Sequence, residues 1–451
     1  MRGLWSTLAS VVVLAGLGAY IYFVTWKTPE ADTGKKQEKV FAGLQSDKID
    51  EIKVSLAAGE TTTLKKDAGT WQVTQPIAAK ADESELSGMT GALTSVEIVR
   101  VIDESPANLS DYGLANPRIV VAFKANGEKD RMLLIGEKSP TGADLFAMRN
   151  DEKKVLLIPA FQETTFNKTT FDLRDKGLLK FDREKVDGLD VTAGGKTLAL
   201  SKDGGEWKIV KPLQTRADFG SIEGLIGKLQ SAQMKSIAAD DATPADLKKY
   251  GFDKPEATVN LGAGSARATL LVGGKATDTT IYARDASKPM VVTVESTLLD
   301  DLKKGADDYR RKDLFEFRPY NATRIELIRD GQTVVFEKVK ADAKDAAKDA
   351  QDKWKRVSPT AGDADKDKID GLLSRLSNMR ASSFIESTAK LTLKPALEIH
   401  VKFDDGKKEE TVSLVRSDAD VLALRHNEPG AAKTDATDLT EALKTLDELV
   451  K

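Results

Sequence analysis

The chain has no cysteine among its 451 residues, which excludes disulfides, thiolate metal sites, a cysteine nucleophile and lipid attachment through sulfur. It has two histidines, His400 and His426, so the commonest general base and metal ligand is nearly missing. His400 alternates with Glu398 and Lys402, opposite Leu397, Ile399 and Val401, and is expected to face solvent or a partner; His426 lies in the turn "RHNEPG". Neither has a companion at metal-ligand spacing. Charge of one sign is not in excess either: 68 Lys and Arg stand against 71 Asp and Glu, net −3, with no basic stripe to suggest nucleic acid.

Two stretches imitate ligand motifs and fail on their own residues. "AGGKT" at 193–197 ends like a phosphate loop, but Asp190 stands where the first glycine belongs, and a hairpin turn with Gly194 and Gly195 at its tip is expected. "DADKDKID" at 363–370 has Lys368 in place of the invariant glycine of a calcium loop and Ser374 in place of its bidentate glutamate, so it reads as a helix cap. No cofactor, metal or catalytic residue is assigned. A Ser-His-Asp grouping would have to converge in space, and no G-x-S-x-G elbow announces one.

What is present begins with residues 3–26, "GLWSTLASVVVLAGLGAYIYFVTW", which carry no charge. As a helix they would span roughly 36 Å, enough for a bilayer core. Trp5 at one end and Tyr20, Tyr22 and Trp26 at the other suit interfacial belts. Gly16, Gly18 and Ala19 also allow a cleaved signal, but "YIYFVTW" follows where a polar mature terminus would begin, and a retained anchor is favoured. The expected layout is an anchor over 1–27, a linker over 28–44 and a body outside the cytoplasm.

The body repeats itself. Trp71, Trp207 and Trp354 are spaced 136 and 147 residues apart, and the same offsets carry Leu86, Met89 and Leu93 to Ile222, Leu225 and Leu229 and to Ile369, Leu372 and Leu376. Positions i, i+3 and i+7 form one helical face, with Asp82, Asp218 and Asp365 placed as N-caps. A turn phrase follows, "SDYGLANP" at 110–117 and "KKYGFDKP" at 248–255, with Tyr112, Gly113, Tyr250 and Gly251 as landmarks. Then come alternating strands: Ile119, Val121 and Phe123; Ala257, Val259 and Leu261; Leu397, Ile399 and Val401.

The third copy has lost the Tyr-Gly, and the strand-end glycines Gly136 and Gly273 align with Arg416. "KADAKDAAKDAQDKWK" before Trp354 reads as a solvated loop. The tryptophans, alternating with Val73, Ile209 and Val357, are expected to face inward.

Short turns between strands exclude parallel crossovers, so the fold class is α+β: an N-terminal transmembrane helix followed by three mostly antiparallel sheet-plus-helix units, at 45–181, 182–317 and 318–451. The segments "LRDKGLLKF" and "YRRKDLFEF" close the first two. Arg174, Asp175, Arg310 and Arg311 within them are candidate contacts between units or with a partner.

The membrane segment, "WQVTQP" and "WKIVKP", the Tyr-Gly phrase, "LLIGEKSPTGADLFAMR" and "LRDKGLLKF" together resemble the bacterial domain-of-unknown-function family 4340, over about residues 45–317. The resemblance implies an envelope protein encoded beside ABC-type transporters of the gliding-motility kind; it implies no activity and no site residues. The expected function is a non-enzymatic, membrane-anchored extracytoplasmic scaffold or accessory subunit of an envelope complex such as an ABC transporter. A glycan-binding module is the alternative and would need exposed aromatics; an envelope hydrolase is third and would need converging acids or a nucleophile.

Overall fold

Each third of the body builds the same nine-stranded sheet. The computed structural model describes residues 38–127, 130–339, 352–387, 394–417 and 420–450, which fall into two compact units divided between Lys176 and Gly177. The proposed anchor at 3–26 and most of the charged stretch before Trp354 lie outside the described residues. Among those described, no helix is long and apolar enough to cross a membrane.

The first unit holds β1 (Ile49–Leu56), β2 (Thr61–Asp67), β3 (Thr70–Gln75), β4 (Ala79–Lys80), β5 (Arg100–Asp103), β6 (Ile119–Ala125), β7 (Arg131–Lys138), β8 (Asp144–Arg149) and β9 (Val155–Pro159). They order as β4-β3-β2-β1-β6-β7-β8-β9-β5, and every pairing is antiparallel. The helices are α1 (Glu83–Ser95), α2 (Gln162–Phe166) and α3 (Thr170–Leu173).

The second unit contains two more such sheets. One comprises β10 (Val186–Ala193), β11 (Lys196–Asp203), β12 (Glu206–Lys211), β13 (Thr215–Arg216), β14 (Ser236–Ala239), β15 (Ala257–Ala263), β16 (Ala266–Lys275), β17 (Thr280–Asp285) and β18 (Val291–Glu295), with α4 (Phe219–Ser231), α5 (Pro244–Lys249), α6 (Thr297–Leu302) and α7 (Ala306–Tyr309). The other comprises β19 (Ala322–Arg329), β20 (Gln332–Val339), β21 (Lys353–Ser358), β22 (Gly362–Asp363), β23 (Ser383–Ile385), β24 (Leu397–Phe403), β25 (Lys408–Ser417), β26 (Asp420–Arg425) and β27 (Ala431–Thr434), with α8 (Lys366–Asn378) and α9 (Ala436–Val450). Strand order is the same in all three sheets.

Alternation decides which face is buried. Ile119, Val121 and Phe123, and their counterparts in β15 and β24, are buried, as are the three apolar positions of α1, α4 and α8. Asp82, Asp218 and Asp365 cap those helices by accepting hydrogen bonds from first-turn N–H groups, which satisfies donors that have no intrahelical partner. Gly194 and Gly195 turn β10 into β11 with φ of +56° and +75°, the geometry of a two-residue hairpin that favours glycine at both positions.

Trp71, Trp207 and Trp354 are all buried. Val357, however, is 45% exposed. It is three residues from Trp354 and therefore on the opposite strand face. The place of Val73 and Ile209 is taken by Arg356, whose guanidinium donates to the carbonyls of Thr360, Leu449 and Val450.

The boundaries between copies also differ from the sequence reading. In the first unit Asp82 N–H donates to Leu173 O and Asp175 N–H to Lys80 O. In the second, Leu178 N–H donates to Ala232 O, and Leu314 N–H to Met379 O. Leu314, Phe315 and Phe317 are in the core of the third sheet, and Val40 and Phe41, expected in a linker, are in the core of the first. The apolar ends of "LRDKGLLKF" and "YRRKDLFEF" thus open the copy that follows. Burial of their leucines and phenylalanines outweighs the turn signal that precedes them.

Candidate functional site

The segment joining the second and third sheets runs from one to the other within a few residues, and a half-buried charge network, with Glu410 at its buried end, surrounds it. Tyr309 O accepts from Asp218 N–H and Arg311 N–H donates to Arg216 O, while Lys312 O accepts from Ala381 N–H. Successive residues thus bond to opposite sides, as the two edges of an extended strand require.

Glu410 has the core-facing register of Val412 and Leu414 on β25 and is buried. Its carboxylate accepts from the N–H groups of Glu316 (3.0 Å) and Phe317 (2.9 Å) and from Arg425 Nη1 (2.7 Å). Arg425 Nη1 also donates to Leu314 O (2.5 Å), and its Nε lies 3.1 Å from Glu428 Oε1. Glu428 accepts from Thr215 Oγ1 (2.6 Å) and Arg216 Nε. Arg216 reaches Glu316 (3.3 Å) and Asp313 O (3.0 Å). Two arginines and three glutamates, drawn from both sheets and the segment between them, satisfy one another, which makes their desolvation tolerable. A cleft of about 640 Å³ opens beside the network, with Lys208, Lys408 and Asn427 among its lining residues.

Burial pushes the Glu428 carboxyl toward protonation, but Arg216, Thr215 and Arg425 outweigh it and hold the group below its ordinary value. A carboxylate depressed in the folded state stabilises it above the ordinary carboxylate range and stops doing so as pH falls through the depressed value. Unfolding midpoints of the 177–451 region are therefore expected to hold steady down to the ordinary carboxylate range and to drop below it. Glu428→Gln should flatten that drop; an unchanged acid limb in the variant would contradict the assignment.

Of the residues singled out by sequence, Arg310 is at this junction. It is buried, lies 3.9 Å from the centre of the Phe384 ring and 3.8 Å from Asp307 Oδ1, and its Nε makes no hydrogen bond. The ring face stabilises a cation that burial otherwise disfavours. Arg311 turns to Asp313 at 3.7 Å. Arg174 and Asp175 lie in the first unit, paired through the main chain with Ala81 and Lys80.

Tyr112 donates to Asp103 (3.3 Å) and packs edge-on to Phe146; Tyr250 donates to Ala238 O (3.2 Å) and packs on Tyr282. Gly113 and Gly251 adopt φ of +67° and +85°. His400 is half-buried, 2.8 Å from Glu398 and 3.2 Å from Thr411. Among the described residues no group of three side chains is arranged to hold a metal.

Arg216, Glu316, Glu410, Arg425 and Glu428 escaped the sequence reading. One signal was available: Glu410 interrupts the inward register shared with Val412 and Leu414, where the paired strands place Ala268 in the second sheet.

A family model described as "Domain of unknown function (DUF4340)" matches residues 71–208 and again 207–398, so the likeness reaches well past residue 317. No curated protein matches the chain. Among solved structures, a DNA polymerase sliding clamp from Pseudomonas aeruginosa is 8% identical over 88% of this chain and 93% of that one, with a TM-score of 0.15. A DnaN sliding clamp (DNA polymerase III subunit beta) from the same organism, bound to griselimycin, is 7% identical over 87% and 92%, with a TM-score of 0.14. Scores this low bear on neither fold nor function.

Proposed function

We propose, from the premise that this chain belongs to the DUF4340 family of domains of unknown function, that it is a non-enzymatic scaffold or accessory subunit of a bacterial envelope complex. In this reading residues 3–26 anchor it in the membrane, its body lies outside the cytoplasm, and its partner is an ABC-type transporter. The observation that supports the reading most is the threefold repetition of one sheet, two copies of which are joined by a half-buried, mutually satisfied network of arginines and glutamates. A rigid pair of equivalent domains presents related surfaces at a fixed spacing, and two weak contacts held so reinforce each other. A glycan-binding module would draw on exposed aromatic platforms, whereas Trp71, Trp207 and Trp354 are buried.

The test is affinity purification of the full-length protein from gently solubilised membranes, beside a form lacking residues 1–26, with mass spectrometry of the co-purifying proteins. Transporter subunits should accompany the full-length form and fall away from the truncated one. Reproducible recovery of no partner with either form would overturn the proposal.

A further inference from the structure

The second sheet carries a cleft of about 580 Å³, within the roughly 300–1,000 Å³ typical of small-molecule sites, between the β10–β11 hairpin and the turn from α6 to α7. Val191, Leu198 and Leu302 line it with buried hydrocarbon, and the exposed side chains of Lys196 and Lys211 rim it. Lys303 and Lys304, also at the cleft, are occupied by Glu256 (3.4 Å) and Asp301 (2.7 Å). Among the described residues no hydrogen bond or ion pair holds the ammonium of Lys196 or Lys211, and the two carboxylates of the cleft lining, Asp307 and Glu386, both act on the buried Arg310, with Asp307 at 3.8 Å.

The first sheet shows what the same place looks like when it is closed. Strand pairing makes Glu60 the counterpart of Lys196 and Thr62 that of Leu198. The matching main-chain bonds Asp82–Leu173 and Asp218–Tyr309 make Phe166 the counterpart of Leu302 and Thr170 that of Ala306. There Thr62 and Thr170 share a hydrogen bond of 2.7 Å, Glu60 accepts from Thr170 N–H at 2.6 Å, and Phe166 is fully buried. In the second sheet the hydroxyl pair is gone, the phenylalanine is a leucine, and the acid is a lysine. In the third sheet, an ion pair between Arg329 and Asp447 (2.7 Å) joins two residues lining the corresponding cleft. Among the described residues, only the second copy combines lost polar closure, an apolar interior and unpaired cations at the rim.

We propose that this cleft binds an anionic amphiphile, a molecule with one apolar chain and a single carboxylate or phosphate head, its chain against Val191, Leu198 and Leu302 and its head between Lys196 and Lys211. Buried hydrocarbon selects the chain through the hydrophobic effect, and two ammonium groups without protein partners supply charge-assisted bonds to the head. The inference is independent of the scaffold reading.

The test uses the full-length chain in isolated membranes with a diazirine-bearing palmitate, crosslinks being mapped by mass spectrometry. Crosslinks are expected within residues 191–198 and 302–307, competed by palmitate or by lysophosphatidate and not by hexadecanol; the better competitor identifies the head group. Lys196→Glu with Lys211→Glu should lower the yield at least about tenfold, the effect of losing roughly one charge-assisted contact. Ala193→Leu with Leu302→Phe, which installs the first sheet's residues, should abolish it while hydrogen exchange shows the second sheet intact. Labelling that falls elsewhere, survives the charge reversal or is competed equally by hexadecanol overturns the site. Because the lysines are exposed, the charge-reversal arm stands even if the closing variant fails to fold.

Discussion

Arg425→Ala is expected to destabilise the 177–451 region by about 3–5 kcal/mol, the range for removing one partner of a buried ion pair. The reason is the state in which it leaves Glu410. That carboxylate is 6% exposed, and without Arg425 it keeps only the N–H groups of Glu316 and Phe317. Glu428 loses its contact with Arg425 at the same time. Replacing Glu410 and Arg425 together by leucine should cost less, because the buried Glu410 charge is no longer stranded; what remains is the loss of acceptors for the Glu316 and Phe317 N–H groups and of one partner of Glu428. Urea unfolding followed by hydrogen exchange in peptides from both sheets would measure this. Equal losses in the single and double variants would mean that packing, and not charge pairing, is what Arg425 contributes.

Gly136→Val is the second large effect, about 3 kcal/mol at the upper end of overpacking costs. A Cβ on Gly136 would stand 2.1 Å from Tyr112 O, and one on Gly273 would stand 2.3 Å from Tyr250 O. The Tyr-Gly turn lies directly across the strand at these glycines, and Gly274 N–H donates to Tyr250 O at 2.8 Å. The variant should lower the unfolding midpoint of the first sheet and raise hydrogen exchange over residues 109–137. Unchanged exchange there would show that the turn yields without cost.

The same contact explains the third copy. Leu397 pairs with Leu414 as Ile119 pairs with Ile135, so Val415, and not Arg416, occupies the glycine's place. It is buried against Leu422, Ala431 and Ile385. A side chain there and a Tyr-Gly turn across it exclude each other, and the copy that lost one lost the other.

Much of this fold was legible because the chain states it three times. Trp71, Trp207 and Trp354, the helix faces starting at Leu86, Ile222 and Ile369, and the caps Asp82, Asp218 and Asp365 are local patterns that repetition makes unambiguous. Register was less legible: one residue separates Val415 from Arg416, and only strand pairing fixes it. The charge network was not legible at all, since Thr215, Glu316 and Glu428 are far apart in sequence and each alone looks like a solvated polar residue. The cleft at Lys196 was dismissed as a hairpin tip, which it is; its apolar lining comes partly from Leu302, more than a hundred residues away.

The segment from Tyr309 to Leu314 has a mechanical meaning. Residues 309 and 311 are bonded to Asp218 and Arg216 of the second copy, 312 and 314 to Ala381 and Met379 of the third, so the connection contains no slack. A pull on one sheet passes directly through main-chain hydrogen bonds into the other. The two copies are thereby placed to turn together as a single lever arm, and an insertion between Arg311 and Lys312 would leave side-chain contacts such as those of Arg216 and Thr215 with Glu428 as the remaining ties.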